Sequence, residues 1–242
     1  MPGPRTGGGS RVVIGVGVAL SILGLAVVAL LDPLYIHAAL DGAGSAGILG
    51  MTASATHNVS DRTIAELVFG PATFAFPATP GGPRFYDAAE ASHLRDASNL
   101  LHAFLALVAV GAIALIVTLV PRRRDPGAWR AVRGGAVALA AAFCAIGLFF
   151  AVAFDAAFTL FHEIFFPQGN WEFNVATERM VQLYPTPFWE LITMTLAVAT
   201  LVLCAAAWFL ATARLRSLER ARASERAEAS GAAPAVTRAP GP

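Results

Sequence analysis

Four stretches of this chain stay apolar for about 20 residues or more, which is the length a helix rising 1.5 Å per residue needs to cross the hydrocarbon of a bilayer. They lie at about 12–31, 100–120, 136–160 and 189–212. Inside a bilayer every backbone N–H and C=O must be paired within the protein, so runs of this kind are helices. The expected fold is therefore an all-α polytopic membrane protein with four transmembrane helices. Composition agrees, with 56% hydrophobic and 14% charged residues against about 25% charged in an ordinary soluble domain. The first run exceeds the roughly 7–15-residue core of a cleaved signal peptide, and no small-x-small cleavage pattern follows Leu31, so it too reads as a span.

Charge placement sets the expected sidedness. All 17 basic residues are arginine. Arg5, Arg11, Arg122, Arg123, Arg124, Arg130, Arg133, Arg214, Arg216, Arg220, Arg222, Arg226 and Arg238 flank the runs on one side, leaving only Arg62, Arg84, Arg95 and Arg179 on the other. Cytoplasmic loops carry the basic excess, which predicts both termini inside and segments 32–99 and 161–188 outside. Residues 1–213 then form an integral membrane domain. The remainder, 214–242, reads as a cytoplasmic Arg/Glu-rich tail that begins helical and is largely disordered. Cys144 and Cys204 both fall inside apolar runs, where they read as small apolar filler and not as a disulfide or metal site.

The first outer segment is far longer than neighbouring helices need for a connection, so it should carry structure of its own. Val59-Ser60-Asp61-Arg62-Thr63 resembles a helix entry, and Ile64, Leu67 and Val68 then form a short apolar face that ends at Gly70-Pro71. A helix lying on the membrane surface fits that pattern. Pro71, Pro77, Pro80 and Pro83 impose an extended passage, and helix resumes near Tyr86 and runs into the second span. On that helix Glu90, His93 and Asp96 follow at spacings of three, so an imidazole at the outer border has a carboxylate one turn to each side. Either carboxylate could orient the ring and fix its tautomer, although a solvated, charge-laced helix start would use the same residues. His102, nine residues on, points about 180° away and reads as a helix-contact residue.

His162 ends the third run at the same outer border as His93. A zinc-protease motif is excluded, because Phe166 stands where a second histidine would follow His162-Glu163. Asp155 lies seven residues before His162 on the same helix face, within the bilayer, where a carboxylate is costly and marks either function or a paired packing contact. The aromatics Phe165, Phe166, Trp171, Tyr184, Phe188 and Trp189 read mostly as an interfacial belt.

Glu90-x-x-His93-Leu94-x-Asp96, together with Phe161-His162-Glu-Ile-Phe-Phe166, Trp171-x-Phe173, Leu183-Tyr184-Pro185 and Phe188-Trp189, resembles the bacterial lipoprotein intramolecular transacylase family. The resemblance covers most of the chain. It departs at two positions, since the family usually has an acid close to Asn174 and often one where this chain has Thr186. The resemblance implies a multi-pass protein of the bacterial cytoplasmic membrane whose active site faces outward and whose substrate is a diacylated lipoprotein N-terminus. The acyl chain at the middle (sn-2) glycerol position moves onto the α-amine of the lipidated cysteine, giving the lyso form, with membrane lipid around it. No cofactor, metal or nucleic acid is implied.

The residues suit that chemistry. An α-amine with a pKa of about 7.7–8.0 needs a base before it can attack an ester, and the departing glycerol oxygen needs an acid. His93, oriented by Glu90 or Asp96, is the candidate base, and His162, supported by Asp155, the candidate acid, with the two roles exchangeable. Asn170, Trp171 and Arg179 are candidate donors to the oxyanion or to the substrate. Two other classes use the same features: another lipid-directed acyltransferase or hydrolase, and a non-enzymatic membrane scaffold or transporter with structural histidines.

Overall fold

The computed structural model describes residues 6–231; Arg5 and Arg238, counted above, lie outside them. In chain order the helices are α1 (Gly8–Leu30), α2 (Pro33–Gly42), α3 (Ser45–Leu49), α4 (Ala53–Phe69), α5 (Ala88–Leu119), α6 (Pro126–Val152), α7 (Phe154–Phe165), α8 (Arg179–Leu183) and α9 (Thr186–Gly231). Four of these, α1, α5, α6 and α9, are long and apolar enough to cross a membrane. The long connections α1–α5 and α6–α9 emerge at the same end of the bundle and together build a cap there.

α1 packs against α5, α6 and α9, and glycine lets it approach so closely. A Cβ on Gly135 of α6 would sit 2.5 Å from the Gly15 carbonyl oxygen, and one on Gly17 would sit 2.8 Å from that of Gly111. Contacts of small residues suit a lipid solvent, where apolar side chains gain little by leaving the tails and van der Waals packing must hold helices together. Ile14, Val18 and Ile22 of α1 fill a core with Ala128, Val132 and Ala136 of α6 and Cys204 and Ala211 of α9. Leu107, Val110, Ile113 and Val117 of α5, and Val198, Val202 and Phe209 of α9, point outward, as lipid-facing positions should.

The cap has a separate core. Ile36, Leu40, Val59, Phe74, Phe76, Tyr86, Leu94, Met180, Leu183, Tyr184 and Phe188 pack together there. Its helices begin at strong caps: Asp32 accepts from the backbone N–H groups of Leu34 and Tyr35 ahead of Pro33, and Thr52 accepts from Ala55. α2 and α4 are joined by a reciprocal pair of contacts. His37 Nε2 lies 2.8 Å from Asp61 and His57 Nε2 2.8 Å from Asp41, while the two imidazoles stack with centroids 4.1 Å apart.

Three expectations change. α4 starts at Ala53 and not near Val59, because Thr52 is its true cap and its first two turns are too polar to show an apolar period. Its fully buried face is Thr56, Val59, Ser60 and Thr63, not the expected apolar Ile64, Leu67 and Val68. The third apolar run is two helices, broken at Ala153 (φ −142°, ψ 61°), and α7 continues to Phe165. Beyond Arg214, helix α9 continues through Gly231, in keeping with a tail that begins helical, and residues 232–242 lie outside the described residues. Against these, α5 starts at Ala88 and runs unbroken into the second span, as the sequence predicts.

Candidate active site

His93, in the second turn of α5, and His162, in the last turn of α7, meet at the junction of cap and bundle with ring centroids 5.9 Å apart and an interplanar angle of 24°. Both are buried, at 7% and 8% exposure. Aromatic rings enclose them: Phe166 and Phe173 stand 4.6 and 5.6 Å from His93, and Phe158 and Trp171 stand 4.1 and 5.0 Å from His162. Phe158, His162 and Phe166 recur every fourth residue, so they form one face of α7 and its end. Two imidazoles so close in an apolar enclosure cannot both carry charge cheaply.

The hydrogen bond at His162 settles its tautomer. Nδ1 lies 2.8 Å from the Phe158 carbonyl oxygen, which can only accept, so Nδ1 carries the hydrogen and Nε2 keeps its lone pair. Burial pushes the His162 pKa below the ordinary histidine value, and the Phe158 carbonyl opposes that shift. The ring is thus a neutral base at physiological pH.

The two carboxylates flanking His93 serve other partners. Glu90 is 1% exposed; one of its oxygens accepts from the Asp87 N–H at 2.8 Å, closing a capping box, and the other from the Met180 N–H at 2.6 Å. Both oxygens are occupied, so Glu90 starts α5 and pins α8 to it, and does not orient the imidazole. Asp96 reaches instead into the loop after α7, accepting from Gln168 Nε2 at 2.8 Å and Asn170 Nδ2 at 2.7 Å. Asp155 is exposed and makes no side-chain hydrogen bond among the described residues. Seven residues of helix are about 10.5 Å of rise, which puts it on the right face but two turns from His162.

Of the proposed donors, Trp171 lines the cavity beside both histidines. Asn170 commits an amide hydrogen to Asp96. Arg179 donates to Gln182 at 3.2 Å and to the Leu49 carbonyl at 3.5 Å, and is absent from the cavity lining. His102 contacts the carbonyls of Ser98 and Val68, tying α4 to α5, as its position on the far face of the helix predicts.

The cavity has a volume of about 300 Å³. His93, His162 and Trp171 line it near the cap, and Val27, Leu30, Leu31, Ile192 and Leu196 carry it down between α1 and α9. A second, more open cavity of about 710 Å³ shares Phe158, Trp171, Tyr184 and Trp189 with the first and is lined further by Glu172, Asn174 and Thr186. Of the supposed belt aromatics, Phe166, Tyr184 and Phe188 are buried and Trp171 faces a histidine. Tyr184 hydrogen-bonds Ser60 across the cap at 3.1 Å, and burial pushes its pKa up to about 12, so it remains a phenol. Among the described residues no three His, Cys, Asp or Glu side chains are placed to hold a metal.

The family model described as lipoprotein intramolecular transacylase Lit matches residues 12–189, nearly three quarters of the chain and both histidines. This chain belongs to the lipoprotein intramolecular transacylase family. The membrane-integral Lit of Bacillus cereus is similar in structure, with a TM-score of 0.70 at 18% identity over 89% of this chain and 96% of that one. Two structures of variants of that protein, each with one histidine replaced, by arginine or by alanine, match with TM-scores of 0.66 at 17% and 18% identity, over 89% of this chain and 93% and 94% of theirs. No curated protein matches the chain. Membership of the transacylase family makes this a multi-pass membrane acyltransferase, and the low identity to the solved Lit structures means that they share its fold while its own residues must carry the account of its site.

Proposed function

We propose that the protein moves the sn-2 acyl chain of a diacylglyceryl-cysteine onto the α-amine of the same cysteine, at the outer face of the cytoplasmic membrane. The observation that carries this is the placement of two buried histidines at the mouth of an apolar cavity that descends between membrane-crossing helices. An acyl chain lying in that cavity brings its ester to the imidazoles. The arginine distribution supports the orientation, with both termini inside and the cap outside.

O-to-N transfer needs one proton to travel. The amine nitrogen forms a bond to the ester carbonyl carbon and gives up a proton; the carbon–oxygen bond to glycerol breaks and that oxygen takes a proton. His93 takes the amine proton at Nε2 and passes it to Nε2 of His162, which delivers that same proton to the glycerol oxygen, or the reverse, and the pair never holds more than one charge. No proton has to cross the apolar enclosure. Because amine and ester belong to one molecule, holding them in contact supplies an effective molarity that reaches about 10⁵ M or more in well-oriented intramolecular reactions. The Trp171 indole N–H is the donor best placed for the developing oxyanion. Asn170 and Arg179 are bound elsewhere.

Expression in a host that makes only diacylated lipoproteins, with mass spectrometry of their N-terminal peptides, tests this reading. The expected product carries one acyl chain on the amine and one on the glyceryl group, and His93→Ala or His162→Ala abolishes it. Unchanged lipoproteins with hydrolysed phospholipid would favour a lipase instead, and no change in either would leave a scaffold or transporter.

A further inference from the structure

Two buried polar atoms at the site lack partners, and they belong to neighbours. His93 Nδ1 and Asn170 Oδ1 are both sealed from solvent without a closed hydrogen bond, although the Asn170 side chain stands within hydrogen-bonding reach of the His93 ring. An unpaired buried polar atom costs about 1–3 kcal/mol. Two such atoms on neighbouring side chains suggest a bond that tightens during the reaction, since catalytic hydrogen bonds are often long before substrate arrives.

Asp96 fixes which end of the amide faces the ring. A carboxylate only accepts, so the Asn170 group 2.7 Å from Asp96 must be the NH₂, and the carbonyl oxygen is left for His93. Gln168 Nε2, at 2.8 Å from the same Asp96 oxygen, holds the carboxylate in place. The loop reaches this position by a turn in which Gly169, at φ 76°, donates to the Phe166 carbonyl. We propose that Asp96 and Asn170 form a relay that fixes His93 as the Nδ1–H tautomer, with its Nε2 lone pair turned to the cavity. This rests on the function proposed above.

The consequence is a symmetry of roles. His162 is set in the same tautomer by the Phe158 carbonyl, so both rings offer Nε2 to one cavity, as a shared proton requires. A neutral amide at His93 Nδ1 also accomplishes what a carboxylate would not. It orients the ring without holding a proton on it, and so leaves the base neutral and ready. Asn170 and Asp96 are positioning residues that act through His93.

The test has two independent arms. In the first, ¹⁵N-histidine spectra are recorded for the full-length protein in lipid nanodiscs without substrate, with His93 assigned by loss of its signals in His93→Ala. Wild type is expected to show Nδ1–H at His93, Asn170→Ala a mixed or Nε2–H population, and His162 no change. An Nε2–H His93 in wild type, or a tautomer indifferent to Asn170, overturns the proposal whether or not the protein transfers acyl chains. In the second, kcat/KM is followed against pH on a synthetic diacylated lipopeptide. Asp96→Ala and Asn170→Ala are each expected to lose about 100-fold, the scale of a misplaced reacting group. The exchange Asp96→Asn with Asn170→Asp should recover much of the loss and raise the pH at which His93 protonates in the ¹⁵N spectra, because a carboxylate now faces the ring. Wild-type kcat/KM in both single variants, or an exchange variant in which His93 protonates at the wild-type pH, overturns the relay. Absence of transfer by wild type would instead strike the function, leaving the spectra to judge the relay.

Discussion

The bundle and the cap solve opposite problems. The bundle core around Ile14, Val18 and Ala136 is held by close backbone approach, with few side-chain hydrogen bonds along the spans. The cap core around Leu40, Tyr86 and Leu183 is threaded by polar pins: Glu90 to Met180, Tyr86 to Thr63 at 2.8 Å, Tyr184 to Ser60, and the crossed His–Asp pairs. In lipid, shape alone must choose the packing, and glycine provides it. At the water-facing end, burying a polar group is tolerable only when it is paired, so each pair also fixes a direction. The catalytic candidates sit at the seam, where the bundle supplies an apolar cavity and the cap supplies orientation.

The largest effect should follow from breaking the seam in the cap. Glu90→Ala leaves the Asp87 and Met180 N–H groups without their acceptor and unfastens α8 from α5. A destabilisation of about 2–4 kcal/mol is expected from one lost cap and one orphaned buried donor, read as a lowered thermal midpoint in detergent. Glu90→Gln should cost less, since its amide keeps one acceptor oxygen. If Glu90→Ala proved stable but unable to transfer, the residue would belong to the chemistry and not to the fastening of the cap. A bundle change of similar kind is Gly135→Ala, whose Cβ would stand 2.5 Å from the Gly15 carbonyl oxygen. Helix displacement of that sort costs about 1–3 kcal/mol. Its signature should be lower stability with an unchanged pH profile, because nothing at the seam is re-aimed.

A smaller, purely electrostatic effect sharpens the same contrast. Burial lowers the pKa of His162, so the ring stays neutral as pH falls through the usual histidine value near 6.5 and protonates only below it. The rise of kcat/KM with pH should therefore follow the substrate α-amine, near 7.7–8.0, with no break close to 6.5. A second inflection close to 6.5, separate from that of the amine, would show that His162 titrates as though exposed.

What could be seen beforehand divides along the same line. The spans were legible because hydrocarbon thickness imposes run length, and the arginines needed only counting. The pairing of His93 with His162 was also legible, from their common depth. The partners were not, because spacing along one helix says nothing about a second element arriving at the same place: Asp96 was taken by the loop at Gln168 and Asn170, and Glu90 by α8. Part of that was available, since Asp87-x-x-Glu90 is a capping-box pattern and Phe158, His162 and Phe166 repeat at four. The break at Ala153 left no trace, as no proline or glycine marks it.

Asp155 provides the smallest expected effect and a direct check on how far such spacing can be trusted. Its position seven residues before His162 makes it look like the orienting acid, and intramembrane carboxylates usually carry function. In the folded chain it is exposed at the start of α7, while the His162 Nδ1 hydrogen is already given to the carbonyl of Phe158, four residues before the histidine. A ring nitrogen has one hydrogen to donate, so there is no vacancy for the carboxylate to fill. Asp155→Asn should leave kcat/KM within about twofold of wild type, the scale of a substitution of roughly 0.5 kcal/mol away from buried features, and leave the His162 tautomer in ¹⁵N spectra untouched. A loss of tenfold or more with normal stability would mean that α7 shifts when substrate enters and brings the acid to the histidine, which would make the break at Ala153 a hinge and not merely a bend.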